Sequence, residues 1–245
     1  MDYKYNDDFQ FISATDAAER KNIRIQPVNI DDVSAGIGNP GDTGNIIKVI
    51  GVGGGGSNAV NQLAKSHIVG VDLIVCNTDR QALNDSLASI KIQLGKKLTA
   101  GLGAGNDPKV GEDAAKENLT EVTDLFDDNT KMVFVTAGMG GGTGTGAAPV
   151  IAKAAKEKGM LTIGVVTVPF TAEGTQRINQ ANEGVMRMRD AVDALLVIND
   201  DKLIKFKDCT FSTAFQKADE VVVTTTKGIA EIITRHGHVK TPNIF

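Results

Sequence analysis

The chain has 245 residues, of which 41% are hydrophobic and 23% charged, and its formal net charge is −4. The apolar fraction is enough for a core, so a wholly disordered chain is excluded, and the length allows one large domain or two small ones. No run approaches the ~18 apolar residues of a membrane helix, and the polar start, MDYKYNDDFQ, is unlike a secretory signal. The charge argues against general nucleic-acid binding. We therefore expect a cytoplasmic protein that neither inserts into membranes nor binds nucleic acid.

The first part of the chain differs in composition from the rest. Residues 1–44 mix charges with Gly and Pro and show no sustained apolar period, which predicts an extended or disordered arm. From residue 45 onward, short β-branched runs alternate with helical segments. We predict a domain over residues 45–212, a long helix over 213–235 and a short tail over 236–245.

The alternation defines the predicted fold class. Five short apolar runs bounded by Gly, Asn or Asp are typical of strands buried on both faces of a parallel sheet. These runs are residues 46–52, 71–76, 131–137, 161–168 and 194–198. Helices are predicted at residues 57–66, 79–88, 108–126, 146–158, 174–191 and 213–235. The pattern indicates an α/β fold, a Rossmann-like parallel sheet flanked by helices that ends in a long helix.

The last helix includes the run VVVTTT, residues 221–226, which by propensity alone favours a strand. Apolar residues nevertheless recur at helical spacing across it, which favours one long helix. The residues on that face are Phe215, Ala218, Val222, Thr225, Ile229, Ile232 and Ile233.

The first predicted strand runs into a glycine-rich loop, residues 51–58, that precedes a helix. Gly51, Gly53 and Gly56 fit the pattern GxGxxG, in which backbone N–H groups and a helix N-terminus face an anion. Dinucleotide-dependent oxidoreductases share this pattern, and Asp79 is close enough to the end of the second strand to act as their ribose ligand. A turn needed only for tight packing is the structural alternative.

A second loop narrows the choice of ligand. Residues 140–146 are only Gly and Thr, and they lie between a strand and a helix. Consecutive N–H donors with two hydroxyls suit a di- or triphosphate better than a single carboxylate. The P-loop pattern GxxxxGK[ST] does not occur, which excludes an ordinary P-loop NTPase. A third loop of small residues, 100–106, could close over the terminal phosphate.

Six segments together resemble one family. GVGGGGSNAV, NTD, AGLGAGNDP, AGMGGGTGTGAAP, VTVPFTAEGTQR and KGIAEIITR occur in the order found in the FtsZ family of bacterial cell-division GTPases, within the tubulin superfamily. The resemblance covers residues 45 to 237. It implies the tubulin/FtsZ GTPase fold, binding of GTP and GDP with Mg²⁺, and a place at the division site. It also implies assembly with itself, with full-length FtsZ-like subunits or with division-ring proteins.

The resemblance also implies which residues bind the nucleotide. They come from the three loops and from the segments after neighbouring strands. They are Gly53, Gly54, Gly55, Gly56, Ser57, Asn58, Asn77, Asp79, Gly103, Ala104, Gly105, Gly140, Gly141, Gly142, Thr143, Gly144, Thr145, Gly146, Pro169, Glu173, Arg177, Asp200, Phe215 and Asp219.

Some of these roles have a physical basis and a plain structural alternative. Glu173 can accept sugar hydroxyls and Arg177 can neutralise phosphate, although their spacing also suits a surface ion pair. Phe215 can stack on a purine, or simply lie in the core. A carboxylate at Asp219 can accept from N1–H and N2–H₂ of guanine but not from adenine, unless it is merely solvated.

Asn77 and Asp79 lie where the family meets the nucleotide or its metal, and the alternative for them is a helix N-cap. Asp200 stands where the family commonly has Asn, so its ribose-side contact is open.

A larger difference concerns the end of the sequence. The family's acidic loop, which orients the hydrolytic water in the next subunit, carries Asn, Asp and Asp where this chain has Lys240, Pro242 and Phe245. We expect no catalytic residue and no second domain here, and therefore weak GTP hydrolysis by the chain alone. The alternative function is a non-hydrolysing regulator or cap of full-length FtsZ filaments.

Overall fold

A computed structural model describes residues 11–13, 45–203 and 211–234. The strands are β1 Phe11–Ser13, β2 Ile47–Val52, β3 Val71–Asn77, β4 Ile90–Gln93, β5 Met132–Gly138, β6 Leu161–Val168 and β7 Ala194–Asn199. The helices are α1 Gly53–Lys65, α2 Arg80–Asn84, α3 Pro108–Glu117, α4 Leu119–Thr123, α5 Thr143–Glu157, α6 Thr175–Ala191, α7 Asp200–Leu203 and α8 Phe211–Thr234. A 3₁₀ turn, Thr171–Glu173, lies between β6 and α6.

The strands form one sheet in the order β1-β7-β6-β5-β2-β3-β4. Strands β2 to β7 pair in parallel, and β1 pairs antiparallel with β7. The predicted α/β parallel sheet is confirmed. Helices cover both faces, which explains the continuous apolar runs: all six residues of β2 are buried.

Two hydrophobic cores lie on opposite faces of the sheet. On one face α3, α5 and α6 pack against the strands, and on the other α1 and α8 do so. From β2 the chain proceeds outward to β3 and β4, whereas β5, on the other side of β2, leads to β6 and β7. The strand order therefore reverses between β2 and β5, and in parallel sheets ligands bind at the carboxyl ends of strands at such a point.

Two helices begin earlier than predicted, inside the glycine loops. Helix α1 starts at Gly53 rather than at residue 57, and α5 starts at Thr143 rather than at residue 146. The prediction placed these glycines outside the helices because glycine costs about 1 kcal/mol relative to alanine within a helix. They instead form the first turns, where the backbone N–H groups have no intrahelical partner.

Three other segments differ from the predictions. The edge strand β4 was not predicted, since its four residues include a charged one and read as a loop. The helix expected over 108–126 is divided at Asn118, whose side-chain oxygen accepts a hydrogen bond from Gly95 N. The helix expected over 79–88 spans only residues 80–84.

Residues 221–226 lie within α8, so the prediction of a helix there is confirmed. The predicted arm contributes β1, and the rest of residues 1–44 and the predicted tail lie outside the described residues. Across the described part of the chain, the helices lack the combination of length and apolar character that a membrane span requires.

A buried ion pair ties three segments at the opposite end of the sheet. Lys48 of β2 is only 4% exposed, and its Nζ lies 2.8 Å from Asp72 Oδ2 of β3 and 3.5 Å from Asp127 Oδ2 ahead of β5. Lys48 and Asp72 are also register partners. The two carboxylates keep the buried ammonium paired, which an ammonium in the protein interior requires.

The contact between α3 and α5 predicts an effect on stability. A Cβ at Gly146 would overlap the carbonyl oxygen of Pro108 and lie 2.6 Å from Glu112 N, whereas a Cβ at Gly228 in α8 would meet open space. We expect Gly146→Ala to lower the free energy of unfolding by ~2–3 kcal/mol, the cost of overpacking. The matched Gly228→Ala should raise it by about 0.5–1 kcal/mol through helix propensity. Urea unfolding of both variants measures this, and a wild-type midpoint for Gly146→Ala would contradict the packing.

Candidate functional site

The two glycine loops meet at the carboxyl ends of β2 and β5, where Val52 and Ala137 are register partners. A Cβ at Gly53, whose φ is +70°, would lie 2.9 Å from Gly144 N. A Cβ at Gly55 would lie 3.0 Å from Gly138 N. Glycine is therefore needed for the two backbones to come this close. We call residues 53–57 and 140–145 together the anion cradle.

Helices α1 and α5 begin in the cradle without a side-chain cap among the described residues, and neither has an acidic residue in its first turn. By contrast, Asp79 caps α2 and Asp107 caps α3. The free N–H groups and the positive ends of two helix dipoles therefore come together at one place. Such an arrangement favours a ligand with several negative charges, such as a chain of phosphates.

Part of the cradle surface is open. Gly54 is exposed, and no described atom lies within 4 Å of the position that a Cβ would take there. A Cβ at Gly141 would have as its nearest neighbour Asn106 Oδ1 of the third loop, at 3.8 Å. An anion can thus approach the backbone of both loops closely.

The hydroxyl groups of the cradle hold the loops in place. Ser57 Oγ donates to Gly53 O at 2.7 Å, and Gly140 N donates to Thr145 Oγ1 at 2.8 Å. Thr143 Oγ1 shares a 2.7 Å hydrogen bond with Thr78 Oγ1, which follows β3. The proton of Ser57 is therefore already used within the protein. Thr145 Oγ1 accepts in its contact with Gly140 N and, among the described residues, has its proton left to donate.

The third loop closes the site next to β3. Gly103 N donates to Thr78 O at 3.3 Å, and Ala104 lies against Gly142, where a Cβ would be 2.8 Å from the alanine Cβ. Asp79 Oδ1 accepts from Gln81 N and Ala82 N, so the helix N-cap proposed as the alternative for Asp79 is what the structure shows. Buried Asn77 accepts from Asp79 N at 3.2 Å.

The segment after β6 adjoins the cradle on the other side. A Cβ at Gly140, whose φ is +98°, would lie 2.8 Å from Arg177 O and 3.1 Å from Pro169 Cγ. Glu173 accepts from Phe170 N at 2.9 Å, and its Oε2 lies 3.2 Å from Arg177 Nε. The ion pair exists, and it is compatible with both the nucleotide role and the surface alternative.

A group of carboxylates lies beyond this turn. Asp200, which follows β7, is 4% exposed, and its Oδ1 has no hydrogen-bond partner among the described residues. Burial, with repulsion from Glu173, Asp219 and Asp201, raises the pKa of Asp200 to about 7. Burial also raises the pKa of Asp219 to about 6, although the 3.1 Å hydrogen bond from Gln62 Nε2 acts in the opposite direction.

The structure gives fewer contacts for the remaining predicted residues. Asn58 is exposed on α1, and Gly105 is exposed in the third loop. Phe215 belongs to α8, but its side chain lies outside the described part of the structure. The described residues contain no group of three or more His, Cys, Asp or Glu able to hold a metal ion.

Three residues that organise the site were not predicted from the sequence. Gln62 holds Asp219, Thr78 holds Thr143, and the carboxylate of Asp201 accepts from both Thr171 N and Thr171 Oγ1. Thr78 stands inside the NTD segment and could have been noticed there. The contact between Gln62 and Asp219 joins residues 157 positions apart and leaves no local pattern.

Comparison with known proteins agrees with the fold described above. The family profile described as "Tubulin/FtsZ family, GTPase domain" matches residues 46–208. The chain is 51% identical over 196 residues to a "Cell division protein FtsZ" of Porphyromonas gingivalis, covering 79% of this chain and 43% of that protein. A protein with the same description from Pseudomonas aeruginosa is 49% identical over 196 residues, covering 79% of this chain and 50% of that protein.

A solved structure described as "FtsZ dimer, empty", from M. jannaschii, superposes with a TM-score of 0.76. It is 44% identical in sequence, and the match covers 80% of this chain and 57% of that one. The chain thus spans about half the length of the curated relatives it matches.

The buried Asp200 predicts a pH dependence of stability. Its folded-state pKa is about 7 against an ordinary 3.8, so between these values the folded chain keeps a proton that the unfolded chain releases. Stability should therefore fall as the pH rises across that window. Asp200→Asn removes the contribution of this carboxyl to the pH dependence. Between about pH 5 and about pH 8, the free energy of unfolding of the variant should rise by about 2 kcal/mol relative to that of wild type.

Denaturant unfolding at both pH values measures this difference. The matched control is Asp190→Asn, which removes a carboxylate whose side chain is 71% exposed. A gain for Asp200→Asn no larger than that of the control would show that Asp200 ionises normally in the folded chain.

Proposed function

Because the chain belongs to the tubulin/FtsZ family, we propose that it binds GTP and GDP at the carboxyl edge of its sheet, as the nucleotide-binding part of a filament-forming cell-division protein. The observation that carries this proposal is the anion cradle, in which two uncapped helices start side by side. We further propose that the protein works in the cytoplasm at the division site, with copies of itself, full-length FtsZ-like subunits and division-ring proteins as partners.

The phosphates would lie on the first turns of α1 and α5. Backbone N–H groups there have no intrahelical acceptor, and Gly54 leaves room for the ligand. The third loop, packed against Gly142 through Ala104, would cover the outer phosphate. Mg²⁺, which prefers oxygen ligands and keeps several waters, would be held chiefly by phosphate oxygens and would neutralise part of their charge.

The base would lie toward α8. Asp219 is held by Gln62 through one oxygen, and a carboxylate can accept from N1–H and N2–H₂ of guanine. Adenine presents an acceptor at N1, so a partly buried carboxylate would face it without a hydrogen bond. This difference supports selectivity for GTP over ATP. Glu173, on the turn between the cradle and Asp200, would accept from the sugar hydroxyls.

Hydrolysis is proposed to be completed by an acidic loop of a neighbouring subunit, as the family resemblance implies. Lys240, Pro242 and Phe245 stand where that loop would carry its polar residues, which favours a regulator of full-length filaments as a second candidate function. We therefore expect slow GTP turnover by the pure chain and faster turnover when a full-length relative is added. Turnover by the pure chain at the relative's own rate would contradict the need for a loop in trans.

Nucleotide binding is tested by filling the open space at Gly54. Because no described atom lies within 4 Å of a Cβ there, Gly54→Ala should fold normally. The added methyl group should nevertheless keep the phosphates from the backbone and weaken GDP binding about tenfold or more, a loss of ~1.4 kcal/mol or more. Calorimetric titration measures the affinity, and a thermal melt checks the fold.

The control is Gly228→Ala, which places the same methyl group in open space on α8, away from the cradle, and should bind like wild type. ATP and NAD serve as competitors that a guanine-nucleotide site should reject. Equal affinity of Gly54→Ala and wild type for GDP would show that the phosphates do not lie on the first turn of α1. Displacement of GDP by NAD would favour a dinucleotide site instead.

A further inference from the structure

Asp200 is the unusual group in the site. Among the described residues, the buried side-chain atoms that lack a hydrogen-bond partner are Gln93 Nε2, Gln180 Oε1, Thr226 Oγ1 and Asp200 Oδ1. Asp200 is the one carboxyl group in that set, and it lies at the carboxyl edge of the sheet, directly after β7. A buried carboxyl oxygen without a partner is costly unless a ligand or a proton satisfies it.

Among the described residues, the charged groups that act on Asp200 are all acidic. They are Glu173 on the turn after β6, Asp219 on α8 and Asp201 on its own helix α7. Each of these three already has a partner, respectively Arg177, Gln62 and Thr171. No cation among the described groups offsets the charge of Asp200, so its neutral form is favoured.

The chemistry of guanine decides what Asp200 can offer. If Asp219 accepts from N1–H and N2–H₂, the donors of guanine's Watson–Crick edge face one carboxylate. Apart from the second N2–H, the hydrogen-bonding atoms of the base that remain, O6, N3 and N7, are acceptors. An ionised carboxylate is an acceptor only, whereas a protonated one has an O–H to donate. At O6, N3 or N7, Asp200 can therefore form a hydrogen bond only in its protonated form.

We propose that Asp200 carries a proton in the nucleotide complex and donates it in a hydrogen bond to an acceptor atom of guanine, so that nucleotide binding takes up a proton above neutral pH. This inference rests on the proposed GTP and GDP binding and adds a regulation of that site. The affinity falls as the pH rises, because ionised Asp200 must first regain its proton. The raised pKa of the free carboxyl, about 7, places this change near neutrality.

The experiment measures the affinity of the full chain for GDP by calorimetry from about pH 5.5 to about pH 8.5. The terminal phosphate of GDP also titrates in this range, so the quantity compared is the Kd of wild type divided by that of Asp200→Asn. The asparagine has an N–H donor at every pH. The ratio should stay flat below about pH 6.5 and rise about tenfold between about pH 7 and about pH 8.5.

Two further variants separate donation from loss of charge. Asp200→Leu has a similar volume but no donor, so it should bind GDP more weakly than Asp200→Asn at every pH. Asp190→Asn, which lacks an exposed carboxylate elsewhere, should follow wild type at every pH. Equal binding by the Leu and Asn variants would show that only the charge of Asp200 matters and would overturn the donor role.

The outcomes also distinguish this inference from the proposed function. Tight GDP binding with a flat ratio, or with a ratio that falls as the pH rises, would overturn proton uptake and leave guanine-nucleotide binding intact. A falling ratio would mean that Asp200 binds as an ionised acceptor of sugar hydroxyls. Failure of the folded wild-type chain to bind GDP at any pH would overturn both.

Discussion

The reversal of strand order between β2 and β5 is the constraint on which the rest of the molecule depends. At such a point, the connections that follow two adjacent parallel strands run toward opposite edges of the sheet. Helices α1 and α5 consequently begin next to each other, although they are distant in sequence. A residue without a Cβ is required at Gly53, which faces Gly144 of α5, and at Gly55, which faces Gly138 at the end of β5. The close approach leaves the amides of both first turns side by side.

The site that results has two ends of opposite electrostatic character. The cradle presents backbone N–H groups and helix dipoles, with no acidic residue in the first turns of α1 and α5. Some distance along the same edge of the sheet, Glu173 and Asp219 form an acidic end around Asp200, whose neutral form they favour. A nucleotide has a matching polarity, since its phosphates are anionic and the sugar and base present neutral donors. Such a field helps to orient a bound nucleotide in one direction.

Periodicity and composition predicted most of the fold because the sheet is covered on both faces. Buried parallel strands such as β5 and β6 are continuous apolar runs, and the apolar face of α8 outweighed the strand propensity of residues 221–226. The half-polar strand β4 was missed because an edge strand lacks that signal. Propensity also misplaced the start of α1, since it ignores what an uncapped helix end can bind.

The candidate site was predictable where residues act through the backbone and much less so where they act through distant contacts. The glycine loops were predictable from their composition. The hydrogen bond from Gln62 to Asp219, by contrast, depends on the tertiary packing of α1 against α8. The state of Asp200 could not be foreseen either. Its acidic neighbours come from the turn after β6, from α7 and from α8, so no single stretch of sequence shows them together.

The buried ion pair at the amino end of β2 has a consequence for how the chain finds its structure. A slip of β2 by one residue against β3 would carry Lys48 away from Asp72 and reverse the faces of every side chain on the strand. An ammonium buried without its partner costs several kcal/mol, far more than a mismatched apolar contact. A misaligned pairing of β2 with β3 is therefore strongly disfavoured in energy by the buried charge of Lys48. The correct position of β2 matters most at its carboxyl end. There Gly53 must lie level with Gly144 for the two glycine loops to come into contact.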